Sequence, residues 1–304
     1  MTTTTLNHIL VPTDFSETAS QALRYASDLA VRLGARLTVV YCDPFLPPID
    51  YAAVSGSWDE GSFAQLKARS EKQLAVDAAL NIDPSVPYDV VVRVALPLEG
   101  ILAQACESDA ALIVMGTHGR TGVRRLVIGS VTEDVTRGAE VPVLAIPPRS
   151  AVTSSIRVVV CPVIDRAHCV EALTLAAQLA PAEARFVVVR ATPAEYLSQA
   201  EDDLRELREW IPSSLVARCE LKLSGSRHVA DQISRLARNA HAELIVASEP
   251  AGPSSADVLH GTFAARLTQH SDCPVLTLNT PAPLTAARVT RQRKVVDTVW
   301  AGAA

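Results

Sequence analysis

Between Met115 and Ser130 the chain reads MGTHGRTGVRRLVIGS, with three glycines, a histidine and three arginines ahead of a Gly-Ser pair. Those residue types suit the holding of an anion. Gly116, Gly119 and Gly122 are expected to let the backbone turn through positive φ and come close to a ligand. Gly129-Ser130 opens a helix, whose unpaired N–H groups and dipole favour negative charge. His118, Arg120, Arg124 and Arg125 add local positive charge, although His118 also reads as loop packing and the paired arginines as a solvated face. The design differs from other phosphate loops, since the chain holds no G-x-x-x-x-G-K-[ST] and this stretch is not G-x-G-x-x-G.

A loop of this kind needs a rigid frame, and the surrounding pattern supplies one. HILVP (8–12) reads as a strand, and Ser16 to Leu33 as a helix with one apolar face and Asp14 or Ser16 as its cap. Strands follow at 36–42, 88–94, 111–115 and 141–146, with helices through about Leu80, from Pro97 to Cys106 and from Gly129 to Arg137. The stretch 43–61 is a connection punctuated by proline and glycine. Strands alternating with helices imply βαβ units and a mostly parallel sheet. In such sheets ligands sit outside the carboxyl ends of the strands, which is where the loop after ALIVM begins.

The second half repeats this plan. EALTLAAQLA (171–180) matches QALRYASDLA (21–30) at an offset of 150, and GTFAARLTQHSDCPVLTL (261–278) matches GSVTEDVTRGAEVPVLAI (129–146) at an offset of 132. The fall from 150 to 132 locates about 18 missing residues, which fits a shortened second-helix region. So long a period means two copies of one domain and not a solenoid. We expect a first domain over 1–148, a second over 156–280 and a C-terminal tail over 281–304. The tail, with Arg288, Arg291, Arg293, Lys294 and Trp300, reads as solvated, as a helix laid on the body, or as a partner-binding segment.

At 304 residues, 48% hydrophobic and 20% charged, the chain has the composition of a globular protein with a full core. A net charge of −5 offers no general attraction to nucleic acid or an anionic membrane, so neither is an expected partner. Six scattered cysteines form no C-x-x-C pair and no metal spacing, and read as free thiols of a reducing compartment. The opening residues lack the pattern of a secretory signal, and no apolar run approaches 18 residues. The expected location is cytoplasmic.

Gly116-x2-Gly119-x9-Gly129-Ser130 resembles the ATP-binding signature of the universal stress protein family. VPTDFSETASQAL (11–23) is similar to that family's opening, and GSVTEDVTRGAEVPVLAIP to its closing helix and edge strand. The resemblance spans 6–148 closely and 156–278 more weakly, as in a tandem member. It implies two Rossmann-like domains of the adenine nucleotide alpha hydrolase type, each a five-stranded, mostly parallel sheet with helices on both faces. It also implies ATP as ligand, with or without Mg2+. Asp14 and the backbone near Pro12, Thr13 and Cys42 would face adenine, and Met115 and Gly116 would lie along the ribose. Gly119, Arg120, Gly129, Ser130 and Val131 would hold the phosphates. Ala95 departs from the glycine the family often places before the third-helix proline.

The second copy has lost most of these features. Gly116 becomes Ser248, Gly119 becomes Ala251, and Asp14 falls on Ile164, with Asp165 one residue along. Pro250 and Pro253 remove backbone donors, and Glu249 and Asp257 would repel a polyphosphate. The expectation is one nucleotide per chain, in the first domain. Around the loop only Asp14, His118, Glu133 and Asp134 could serve hydrolysis, and no nucleophile–base pattern stands elsewhere, so no residue is assigned to catalysis or to a metal. Three functions follow: a nucleotide-dependent stress-response or signalling module; a slow ATPase or an adenylyl- or phosphoryl-transfer enzyme; a nucleotide-independent dimerisation scaffold. VPVLAI and CPVLTL, closing their domains, would pair as an intramolecular pseudo-dimer through the final strands, with a homodimer of chains also open.

Overall fold

The computed structural model describes residues 5–43, 60–117, 129–148, 150, 156–191, 200–225, 229–249 and 263–279. The first half runs β1 (His8–Thr13), α1 (Glu17–Leu33), β2 (Arg36–Cys42), α2 (Glu60–Asn81), β3 (Tyr88–Arg93), α3 (Pro97–Glu107), β4 (Leu112–Gly116), α4 (Ser130–Gly138) and β5 (Val143–Ile146). The second half follows with β6 (Val158–Val163), α5 (Arg166–Leu179), β7 (Arg185–Ala191), α6 (Ala200–Trp210), β8 (Cys219–Ser224), α7 (Val229–Asn239), β9 (Leu244–Glu249), α8 (Phe263–His270) and β10 (Val275–Asn279). The shortening expected from the offsets is visible in the second helix of each half, which spans 22 residues in α2 and 11 in α6.

Local chemistry explains the elements. The Ser16 hydroxyl accepts a hydrogen bond from the Ala19 N–H at 3.2 Å, so Ser16 and not Asp14 caps α1. Gly34, with φ at 63°, ends that helix in the left-handed conformation. The buried stripe of α1 is Ala19, Ala22, Leu23, Ala26, Leu29 and Ala30, at helical spacing. Every residue of β1 is buried, as a parallel strand covered on both faces requires. The corresponding helix of the second half, α5, is capped by Asp165, whose carboxylate accepts from the His168 N–H at 2.9 Å.

Five strands from each half join in a single ten-stranded sheet, in the order β3-β2-β1-β4-β5-β10-β9-β6-β7-β8. All neighbours are parallel except β5 and β10, which run antiparallel with Leu144 opposite Leu276, Val143 opposite Thr277 and Ala145 opposite Val275. One face carries a core continuous across this junction. It takes Tyr25 and Leu29 from α1, Leu173 and Leu179 from α5, Leu144 and Ile146 from β5, and Leu276 and Leu278 from β10. On the opposite face each half keeps its own cluster, one around Ile101 and Val135, the other around Ile233 and Leu267. The Arg32 guanidinium at the end of α1 donates to the Leu179 carbonyl at 3.1 Å, which ties the first half to the last turn of α5. All six cysteines are free thiols. Among the described residues no helix is long and apolar enough to cross a membrane.

His8 lies buried at the start of β1, its Nε2 2.9 Å from the Thr38 hydroxyl. Burial, helped by the Arg36 guanidinium, holds its imidazole below the usual histidine range. The folded chain therefore favours neutral His8. Its contribution to stability is full above about pH 6.5 and is lost as pH falls through that value toward the lowered folded-state pKa. Urea midpoints for His8→Gln, which keeps a partner for Thr38, are expected to fall less steeply than wild type between about pH 7 and pH 5. Parallel slopes for the two proteins would exclude His8 as a source of the acid sensitivity.

Candidate functional site

The strand order reverses direction between β1 and β4, because the chain goes from β1 outward to β2 and β3 and returns to β4 on the other side. Connections leaving the two strands diverge to opposite faces there and leave a crevice beyond the carboxyl ends. A cavity of about 350 Å³ occupies that position, within the range of small-molecule clefts. The end of β1 contributes Pro12, Thr13 and Asp14, the end of β2 Cys42, and the end of β4 Met115 and Gly116. Gly129, Ser130 and Val131, at the opening of α4, close the other side. Nine of the residues singled out in the sequence thus line one cavity; Gly119 and Arg120, with His118, Arg124 and Arg125, lie outside the described residues.

The turn after β1 is held in an unusual conformation. Phe15 has φ of 62°, a region costly for a bulky side chain. The Thr13 hydroxyl accepts from the Phe15 N–H at 3.0 Å, and the Asp14 Oδ1 accepts from the Ser16 N–H at 3.0 Å. The Phe15 ring packs on Tyr41 with centroids 4.6 Å apart. Together these contacts fix Asp14, half-buried, at the cavity wall.

Gly116 carries a correction to the sequence reading. It sits in β4, and among the described glycines only Gly34 has positive φ. Its requirement is for close approach: a Cβ there would stand 2.8 Å from the Thr18 carbonyl oxygen in the first turn of α1. The bare backbone lets α1 cross tightly over the strand end. The same residue anchors α4, because the Thr132 hydroxyl donates to the Gly116 carbonyl at 2.8 Å. Next to it, the Gly129 N–H donates to the Thr117 carbonyl at 2.7 Å.

Gly129 is the N-cap of α4 and offers no side chain to its first turn. Intrahelical bonding starts with the Glu133 N–H, which donates to the Gly129 carbonyl, so the N–H groups of Ser130, Val131 and Thr132 have no partner inside the helix. That end of α4 is an electropositive feature at the cavity wall. Glu133 and Asp134 are drawn to Arg137, at 2.7 and 3.6 Å. Burial pushes the Cys42 thiol up to about 11, so at neutral pH it presents an uncharged S–H. Among the described residues Asp14 is the one charged group in the lining, and no cluster suits a metal ion.

The sequence reading missed Ala19, Val40, Pro97, Ile101 and Thr132, which complete the lining. Two of them carried a usable signal. Val40 shares a strand face with Cys42 two residues on, and Ile101 shares a helix face with Pro97 four residues back. In the second half Ile164, where Asp14 would stand, is half-exposed, and Asp165 is engaged as the cap of α5 with His168 Nδ1 at 2.7 Å. Ser248, in the place of Gly116, is buried. The rest of that loop, 250–262, lies outside the described residues.

Fold and cavity define a class: a doubly wound α/β protein, built twice along one chain, with a ligand-sized crevice at the switch point of its first half. The family model described as the universal stress protein family matches residues 5–147. A universal stress protein of Methanocaldococcus jannaschii is 31% identical over 138 residues, covering 45% of this chain and 80% of that protein. A universal stress protein of Thermus aquaticus is 35% identical over 138 residues, covering 45% of this chain and 96% of its own length. Beyond the first half, the crystal structure of a universal stress protein from Archaeoglobus fulgidus matches with a TM-score of 0.66 at 18% identity, covering 91% of this chain and 97% of that one. The chain belongs to the universal stress protein family.

Gly116→Ala tests the packing role directly. The new Cβ meets backbone and not a movable side chain, so either α1 or β4 must shift. We expect a loss of about 1–3 kcal/mol in urea denaturation. An unchanged midpoint would show that α1 can retreat from the strand end without cost.

Proposed function

We propose that the first half binds one adenine nucleotide, ATP with or without Mg2+, and that the chain is a nucleotide-dependent stress-response or signalling module. The observation that carries this reading is the meeting of three strand ends with the uncapped first turn of α4 around one cavity. The wall formed by Val40 and Ile101 suits an apolar ring, and the α4 end suits an anion. In this reading Pro12, Thr13, Asp14 and Cys42 face adenine, with Met115 and Gly116 along the ribose. Gly119, Arg120, Gly129, Ser130 and Val131 take the phosphates. Asp14 accepts from the ligand with the carboxylate that also braces the Ser16 turn.

Binding is favoured over dedicated catalysis because the one thiol in the lining is held protonated and the acidic residues of α4 turn to Arg137. We further propose that the halves, 1–148 and 156–280, act as an intramolecular pseudo-dimer, with 281–304 as a tail whose course lies outside the described residues. The antiparallel register supports this, since Leu144 faces Leu276, the residue that corresponds to it at the offset of 132.

The test is to denature the purified chain, identify any released nucleotide and measure its stoichiometry, then titrate ATP into the emptied protein. One adenine nucleotide per chain is expected. Asp14→Asn preserves an acceptor for Ser16 but removes the charge, and should weaken binding roughly tenfold or more. Gly129→Val should abolish it by filling the cavity wall. Two tightly held nucleotides, or none with no uptake on addition, would overturn the reading.

A further inference from the structure

The outer edge of the second half differs from the outer edge of the first in a way that points to a second binding site. In the first half the Arg93 guanidinium reaches from β3 to α3. It donates to the Gln104 amide oxygen at 2.8 Å and to both carboxylate oxygens of Glu107, at 2.6 and 2.9 Å. This fork closes the gap between edge strand and helix.

The strand registers identify the counterparts. Cys42 pairs with Arg93, and Ala191 pairs with Ser224; α3 and α7 are both 11 residues long, at the offset of 132. Arg93 is thus replaced by Ser224, Gln104 by Leu236 and Glu107 by Asn239. The clamp is gone, and a groove of about 930 Å³ lies between β8 and α7.

Charge has changed along with shape. Lys222 stands where the first half has Val91, and Arg235 where it has Ala103. Glu220 is shared between Arg185, at 3.1 Å, and Lys222, at 3.0 Å. Arg235 forms no ion pair among the described residues. Three cations therefore face one carboxylate around the groove, whereas the corresponding positions Arg36, Asp89, Val91 and Ala103 hold one cation and one carboxylate. A local excess of positive charge on a chain of net charge −5 attracts a negatively charged partner.

One more feature separates the kinds of anion. The Gln232 amide oxygen in the groove wall is buried and has no hydrogen-bond partner among the described residues. A buried acceptor calls for a donor. Polyphosphates bring almost only acceptors at neutral pH and inorganic phosphate one or two P–OH donors, while a peptide brings a row of main-chain N–H groups together with carboxylates. The groove also runs beside β8, the edge strand of the sheet, and a site between an edge strand and a helix suits an extended segment. We propose that this groove binds an extended acidic peptide segment of another protein, gripped by Arg185, Lys222 and Arg235 and bonded by the amides of Gln232 and Asn239.

The experiment uses the full chain and a fluorescein-labelled ten-residue peptide of alternating glutamate and serine, followed by fluorescence anisotropy at low salt. Saturable binding is expected, weakening as salt shortens the reach of the charges. The double variant Lys222→Glu, Arg235→Glu should weaken it about tenfold or more, with circular dichroism reporting that the fold is kept. Asn239→Glu, which restores the first-half residue, is the milder second variant and should weaken binding severalfold. Absence of saturable binding, or affinity indifferent to both variants, overturns the proposal. Tripolyphosphate is the remaining arm: variant-sensitive binding of it without binding of the peptide would assign the groove to a small anion and overturn the peptide.

Discussion

Main-chain pairing between β5 and β10 is the constraint on which the rest of this chain depends. Each half is a parallel sheet that ends in a short, apolar strand, and Val143–Ile146 is buried throughout. Left open, such strands are templates for association with other chains. Paired with each other they cease to be edges, and they bring Leu144 and Leu276 into one core. Full burial of a leucine is worth about 1.5–3 kcal/mol, so the apolar residues at the junction contribute a stabilisation comparable to a sizeable part of a domain's net stability. The core on the α1 and α5 face runs through the junction without interruption, and the Arg32 bond to Leu179 adds a polar tie beside it. On the other face the two cores stay separate.

With the strands fixed in this way, the cavity at the end of β1 and β4 follows from topology, but its chemistry depends on two local exceptions. Phe15 occupies positive φ, at a cost of about 1–3 kcal/mol, and is kept there by the Thr13 hydroxyl and the Tyr41 ring. Gly116 forgoes a side chain so that α1 can pass over the strand end. The second half has neither exception. Its turn at Ile164 and Asp165 contains no residue of positive φ, and Asp165 is spent on an ordinary helix cap. At the ends of the two equivalent first strands, the strained turn stands only where the strand-end cavity is, at Phe15, and the matching turn at Ile164 and Asp165 is relaxed.

The repeated plan was legible because it rests on signals that act over a few residues. Continuous apolar runs such as LTVVY and FVVVR mark strands buried on both faces, and the fall in offset from 150 to 132 located the shortening now seen between α2 and α6. The end of β1 and the Gly129-Ser130 opening were legible for the same reason, since strand end and helix start are adjacent in sequence to the residues they present. What escaped is tertiary. The reason for Gly116 lies in the Thr18 carbonyl, nearly a hundred residues away, and so does not show in the spacing of the loop glycines. Phe15 at positive φ contradicts its own backbone preference, so no local rule would choose it. The Arg93 fork and its loss at Ser224 became visible only when strand register aligned the two edges.

The position of the charge change at the β8 edge has a physical reason of its own. Residues near the junction touch both halves, and Tyr25 is buried there, its hydroxyl pushed up to about 12 by loss of water. A cation placed there would have to be desolvated or paired. At β8 the side chains of Glu220, Lys222 and Arg185 keep two-fifths to half of their surface in water, where charges cost little and exposed ion pairs contribute little. The outer edge is also where a lost interaction is confined to one half, because the shared core holds α5 and β6 in place whatever β8 carries. An edge supported in this way can exchange a closed fork for an open, positively charged groove without unfolding the sheet that bears it.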